Sequence, residues 1–239
     1  MILHGLIVLG FLLMVIVILW VLNMLFMPVT VPFLSNCVSH DTSGKELKVA
    51  ILLTMYTGND DYRKNLYKSN IKKWLKDFDV FTVDSSNKIY KIPCSDHKLH
   101  TYSFDQGTGL SSNPSAAEKR SLLKACRHFK DKFKDYDIIF KITGKYYTPD
   151  LKKYISGKYT TIPDVIVQNN VNTYGQNTEV IGFKARKMEK IIYTMCKSYL
   201  ELSLKNNIMK SGEYTVYRLP AMSIPNKVKR GDGCILKYL

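Results

Sequence analysis

Tyr136–Asp150 reads YDIIFKITGKYYTPD. Ile138, Ile139 and Phe140 make a short apolar run of the kind that forms a buried strand, and it climbs into Thr143 and Gly144. The run then breaks into Lys145, Tyr146 and Tyr147, a basic and aromatic cluster. A buried strand that ends this way brings polar side chains to one edge of a sheet. What they do there depends on which sheet it is.

Upstream, Val49 to Met55 is a β-rich run, followed by the turn-prone TGNDD. A helical stripe comes next, with Tyr62, Leu66, Ile71, Trp74, Leu75 and Phe78 at helical spacing, and Asp79 to Asp84 reads as a second strand. Strand, helix and strand make a βαβ unit, whose crossover forces a parallel pair. Ile89–Ile92 and Leu99–Phe104 are expected as further short strands. The loop DQGTGLSSNP then leads to a helix from Ser115 to Phe133, with Ser115 and Glu118 at capping-box spacing. Downstream, Pro149–Ile155 has helical character, and Asp164–Gln168 and NTEVIGF read as strands. A long helix is expected over Lys184–Leu204. Alternation of this kind implies a three-layer α/β, Rossmann-like domain on a mainly parallel sheet. Ligands of such sheets sit beyond the carboxyl ends of the strands, which is where Thr143, Gly144, Lys145 and Tyr146 fall.

In front of this domain, Met1–Met27 has no charged side chain and is slightly longer than the roughly 20 apolar residues that span a bilayer. A cleavable signal peptide would have a shorter apolar core and small residues at the cut site, and Met27-Pro28-Val29-Thr30 offers none. The expected organisation is a transmembrane anchor over 1–27, a Pro-, Ser- and Thr-rich stem over 28–47, and a domain over 48–239. No charge appears until Asp41, so flanking charge leaves the orientation open. The chain carries 35 Lys and Arg against 20 Asp and Glu, a net +15 that falls wholly beyond the anchor and favours anionic partners. Its five cysteines form no C-x-x-C pair. The basic residues are dispersed, without a helix-turn-helix or an aromatic RNA-binding pattern, so no specific nucleic-acid partner is expected.

The strand ends narrow the chemistry. Thr54 and Tyr56 close the first strand without G-x-G-x-x-G, and no G-x-x-x-x-G-K-[ST] occurs, which excludes the usual dinucleotide and P-loop sites. Asp84 closes the second strand, where a carboxylate can accept hydrogen bonds from ribose hydroxyls; ordinary turn chemistry explains it equally well. Asp105 opens a loop with two glycines. Cys94, Asp96, His97 and His100 contain zinc-type ligands, but a regular strand throws the two histidines to opposite faces.

DIIFKITGKYY resembles the K-[IL]-T-G-[RK]-Y stretch of a group of small glycosyltransferase-like proteins from large DNA viruses, algae and bacteria. AAEKRSLLKA, NTEVIGF and the terminal KRGDG resemble their counterparts there. The resemblance covers roughly residues 48–239 and implies a GT-A-type fold acting on a nucleotide-sugar donor. Such enzymes usually end the equivalent strand in D-x-D, which holds a divalent cation (Mn or Mg) on the donor's diphosphate. The two D-x-D triplets here, Asp77-Phe78-Asp79 and Asp135-Tyr136-Asp137, precede apolar strands and so belong to the opposite edge of the sheet.

At the metal's usual place stand Lys141, Thr143, Lys145 and Tyr146, and a lysine can stabilise a departing diphosphate as a point charge. Transfer without an obligatory cation is therefore the expectation. Glu179 is the first candidate for the base that takes the acceptor's proton, with Asp105 the contender. Arg230, near Lys227 and Lys229, is placed to close over the diphosphate. The expected function is an anchored glycosyltransferase with a glycan, protein or lipid acceptor, its domain in the secretory lumen. The alternative is a non-catalytic tethered module whose basic surface binds anionic lipid or nucleic acid.

Overall fold

The computed structural model describes residues 13–18, 45–87, 97–107, 113–156, 158–159, 161–169, 177–195, 199–220, 222–229 and 235–238. The chain divides into two units, Met1–Pro32 and Phe33–Leu239. In the first, residues 13–18 are helical and all six apolar side chains are exposed. Among the described residues no helix is long and apolar enough to cross a membrane. Most of the expected anchor, the stem up to residue 44 and the strand Ile89–Ile92 lie outside the described residues.

The second unit is built on a sheet of seven strands: β2 (Val49–Met55), β3 (Asp79–Asp84), β4 (Leu99–Ser103), β5 (Ile138–Thr143), β7 (Val165–Gln168), β8 (Val180–Lys184) and β9 (Val216–Leu219). Their order is β4-β3-β2-β5-β8-β7-β9. β2 pairs in parallel with β3 and β5, and β4 extends the parallel block beyond β3. β8 runs antiparallel to both of its neighbours, and β9 is parallel to β7. The mainly parallel sheet is thus as expected, with β8 the one reversed strand among the seven. Two short antiparallel pairs lie outside it. β1 (Lys45–Glu46) pairs with β6 (Lys158–Tyr159), and β10 (Ser223–Lys229) with β11 (Ile235–Tyr238). Leu47 is buried in the core as well, so the domain takes in Lys45–Leu47, three residues assigned above to the stem.

Side chains alternate across the sheet and build two cores. Ile51, Leu53, Ile138, Phe140 and Ile142 face α1 (Asp61–Trp74) and α4 (Asp150–Ile155), packing on Tyr67, Ile71, Trp74, Leu151 and Ile155. Leu52, Phe81, Ile139, Ile181 and Phe183 face the other way. They pack on Leu122, Ala125, Phe133, Ile191, Leu200 and Ile208 from α2 (Pro114–His128), α3 (Lys130–Phe133), α5 (Met188–Thr194), α6 (Leu200–Ser203) and the wider π turn Leu204–Met209. The result is three layers.

Two helices differ from expectation. α2 is capped by Asn113, whose side chain accepts the Ala116 N–H at 3.0 Å with Pro114 in the first turn; the Ser115–Glu118 box does not form. Ser115 Oγ instead accepts the Leu200 N–H, and Glu118 turns into the structure. The single helix expected over Lys184–Leu204 is broken. A 3₁₀ turn over Ala185–Lys187 leads into α5, which ends before Met195. Lys119 explains the stop: its buried ammonium donates to the carbonyls of Tyr193 and Met195, groups that would otherwise be left without partners at a helix carboxyl end.

Candidate functional site

The carboxyl edge is densest where β2 meets β5. Gly144 donates its N–H to Thr54 O at 2.9 Å and accepts Asn70 Nδ2 on its own carbonyl at 3.1 Å. A Cβ at this position would lie 2.7 Å from Met55 Cγ and 3.3 Å from Thr54 O. The glycine therefore answers to close packing between two strand ends. It is buried and not presented to a ligand as expected from the sequence. Tyr146 is likewise no surface aromatic: it is 1% exposed, it packs in the core beside α1, and its carbonyl accepts Trp74 Nε1 at 3.2 Å. Lys145 is the partly exposed residue of this turn, with its ammonium 5.0 Å from the centre of the Tyr146 ring.

On the opposite face of β5, Lys141 and Thr143 share one side, as strand alternation requires. Lys141 is 1% exposed, so it does not present an open charge to a diphosphate. Its ammonium makes an ion pair with Glu118 of α2, donates to Thr178 O, and lies 3.5 Å from Thr143 Oγ1. The Thr178 hydroxyl in turn donates to Glu201 Oε1 at 3.2 Å. The buried lysine thus fixes the residue immediately before Glu179. Thr143 N donates to Glu179 O at 3.0 Å, and continuing the β5–β8 register by one residue sets Glu179 opposite Thr143. Lys141, Thr143 and Glu179 are brought together; Glu118, read from sequence as a cap, is the member that was missed.

On the other flank, Asp84 is 2% exposed and already engaged. Thr57 Oγ1 donates to its Oδ2 at 2.5 Å, while Ser86 N and Oγ donate to Oδ1 at 2.9 and 2.7 Å. The carboxylate builds the Asp84–Ser86 turn, and Asn87 completes it with φ 55°. A direct role on a ribose does not match this arrangement. Thr54 is 9% exposed, whereas Tyr56 is 53% exposed just past β2, and its carbonyl accepts Tyr67 OH at 3.4 Å. Burial, opposed by that hydrogen bond, raises the Tyr67 phenol above its ordinary value.

Asp105 is exposed beyond β4, where its Oδ1 accepts the Gly107 N–H at 2.8 Å. It lies four strands from β8, roughly 19 Å at normal strand spacing, so Glu179 and Asp105 cannot share one proton-transfer site. Arg230 falls outside the described residues, as do Cys94 and Asp96.

Both D-x-D triplets occupy the amino edge, as expected from sequence. Asp77 pairs with Lys152 at 2.6 Å, Asp79 accepts Tyr136 OH at 2.7 Å, and Asp137 accepts the Lys48 N–H at 2.9 Å. Among the described residues no three His, Cys, Asp or Glu side chains converge on a metal position.

No family model matches the chain, and no curated protein matches it in sequence. Solved structures do match in fold. The chain is similar to the mannosyltransferase PcManGT from Pyrobaculum calidifontis, solved with GDP-Man and Mn2+, at a TM-score of 0.50 and 14% identity over 78% of this chain. It spans 59% of that protein's length. A glycosyltransferase involved in glycosylation of the major capsid of PBCV-1 aligns over 72% of this chain and 81% of its own, at a TM-score of 0.46 and 12% identity. A cytidylyltransferase from Leptospira borgpetersenii aligns over 73% and 76%, at 0.43 and 14%. The fold is Rossmann-like, with a seven-stranded, mostly parallel sheet, and resembles that of the mannosyltransferase.

Proposed function

We propose that the chain is a membrane-anchored glycosyltransferase that moves a sugar from a nucleotide-sugar donor to a glycan, protein or lipid acceptor. The observation that carries this reading is the meeting of Thr143, the Lys145 turn and the Glu179 segment at the junction of β5 with the reversed strand β8. The fold supports it at the level of architecture. The uncharged, largely apolar Met1–Met27 supports the anchor, and we propose a domain in the secretory lumen.

In this reading Tyr56, exposed beside the β2 terminus, offers an aromatic face to the donor's base. Glu179 takes the proton of the acceptor hydroxyl as that oxygen bonds to the anomeric carbon. The bond from that carbon to the diphosphate breaks, and its electron pair leaves on the diphosphate oxygen, where Lys145 stabilises the charge. Lys141 acts indirectly, by holding Thr178 and so the approach of Glu179. Arg230 remains the proposed cation from the tail.

Transfer without an obligatory metal follows from the residues after β5, which are Gly144 and Lys145 where a carboxylate would serve a cation. A Mn or Mg ion would also fit the edge, because such ions take one or two carboxylates and complete their shell with substrate phosphates and water. Asp105 is the exposed carboxylate proposed for it.

The test is a screen of nucleotide sugars by thermal shift on the full chain in detergent. A donor that binds the native state raises the melting temperature by mass action. A shift with one nucleotide class, and release of free nucleotide on adding acceptor, is the expected result. No shift with any donor at millimolar concentration would overturn the reading.

A further inference from the structure

α1 buries four residues, Tyr67, Asn70, Ile71 and Trp74. Three of them carry a polar tip, and each tip donates to a backbone carbonyl in the loop after β2 or the turn after β5. Tyr67 OH donates to Tyr56 O at 3.4 Å, Asn70 Nδ2 to Gly144 O at 3.1 Å, and Trp74 Nε1 to Tyr146 O at 3.2 Å. Spacings of three and four residues set the three side chains on one stripe of the helix.

These are the two segments that carry Tyr56 and Lys145. Lys145 lies inside a four-residue turn, Thr143–Tyr146, closed by the Tyr146 N–H on Thr143 O at 2.9 Å. The carbonyls on either side of Lys145 are the two taken by Asn70 and Trp74. The Gly144 N–H is spent on Thr54 O of β2, so the turn is tied to a helix and to a strand at once. The Trp74 ring also meets Tyr147 edge-on, with centroids 4.9 Å apart. Loops at a sheet edge are ordinarily more mobile than the elements they join. An interface that had only to be stable would be filled by aliphatic side chains, and an asparagine that is 0% exposed is a costly choice there. From Tyr67 to Trp74 the helix advances about 10 Å, so one rigid element fixes how far apart the two segments stand.

We propose that Tyr67, Asn70 and Trp74 are positioning residues, which hold Tyr56 and Lys145 at one separation and so select a nucleoside diphosphate donor over a monophosphate one. The proposal rests on the transferase reading, which assigns the base to Tyr56 and the diphosphate to Lys145. Holding a charge stabiliser in place before the substrate arrives is what makes it effective.

Calorimetric titration of the full chain in detergent tests the stripe, with the mono- and diphosphates of adenosine, cytidine, guanosine and uridine as probes. A free diphosphate carries the charge that a donor develops on cleavage, so it reports on Lys145 directly. Wild type should bind one diphosphate tenfold or more tighter than its monophosphate. Asn70→Leu and Trp74→Phe should each erase most of that ratio while leaving the monophosphate unchanged. Tyr67→Phe should weaken both probes by the same factor and keep the ratio. In a Lys145→Ala background neither Asn70→Leu nor Trp74→Phe should lower the ratio further, because the residue they position is gone. Trypsin gives a readout free of nucleotide: Asn70→Leu should speed cleavage of the Lys145–Tyr146 bond relative to the exposed Lys210–Ser211 bond. If Trp74→Phe does not fold, Asn70→Leu decides. A wild type without the preference, a ratio that survives Asn70→Leu, equal loss of both probes in that variant, or unchanged cleavage would overturn the stripe and leave the transferase reading standing. A wild type that binds no nucleotide would overturn both.

Discussion

Lys141 of β5 and Glu118 of α2 form an ion pair beneath the sheet's carboxyl edge, with their side chains 1% and 24% exposed. Two charges are seldom placed there unless each is matched, because removing one leaves the other desolvated and alone. Here the lysine also donates to Thr178 O, so the pair couples α2, β5 and the segment that carries Glu179.

Replacing one partner is therefore expected to be costly. Lys141→Met should lower the unfolding free energy by about 3–5 kcal/mol, the range for breaking a buried pair. The double variant Lys141→Met, Glu118→Leu should recover much of that loss, since both charges are then gone. Urea unfolding of the four proteins in the cycle measures it. If the single variants were neutral, the pair would have no structural role.

Gly144 makes a second prediction about stability. Gly144→Ala pushes a methyl to within 2.7 Å of Met55 Cγ, and Thr54 O closes the other side. Overpacking of this kind costs about 1–3 kcal/mol. Met55→Ala combined with Gly144→Ala should suffer less from the glycine change than wild type does, because the colliding side chain is gone. Additive losses in that double variant would show that the backbone contact, not Met55, sets the limit.

Much of this edge was legible in the sequence. Val49–Met55 and Asp79–Asp84 are strands to the residue, because each is an apolar run bounded by turn formers. Alternation put Lys141 and Thr143 on one face. What it could not supply is what covers that face: Glu118 reaches Lys141 across a helix–sheet interface that no local pattern encodes. The same holds for the end of α5, set by Lys119 from 74 residues away. Asp84 looked like a ligand-binding carboxylate or a turn residue, and its three protein donors show it building the turn.

The pH dependence of stability should reveal Asp164. Burial pushes its carboxyl up, but the Lys187 ammonium at 2.9 Å, the Thr215 amide and Lys184 outweigh it, and the net shift is downward. A carboxyl depressed in the folded state adds stability that is fully present above its unfolded value of about 3.9 and is lost as pH falls through the folded one. Asp164→Asn should therefore be less stable than wild type at pH 7, with the gap narrowing toward pH 3. Unfolding free energies from urea melts at both pH values give the comparison. A gap that stayed constant would mean that the charge on Asp164 contributes nothing.

The last prediction concerns the turn after β5. If Lys145 stabilises the leaving diphosphate, Lys145→Ala should reduce turnover about a hundred- to thousand-fold, the usual effect of losing one preorganised charge stabiliser. The fold should be kept, because Lys145 is partly exposed and its Tyr146 neighbour is anchored by Trp74. Lys145→Arg keeps the charge but changes its geometry, so partial activity is expected. Donor KM should change less than kcat, since the charge that Lys145 meets develops on the way to the transition state. Activity should also survive EDTA. Loss of activity on chelation, with rescue by manganese, would overturn the metal-independent mechanism and direct attention to Asp105. In that case Asp105→Asn should abolish the manganese rescue, while Lys145→Ala should cost far less than a hundredfold.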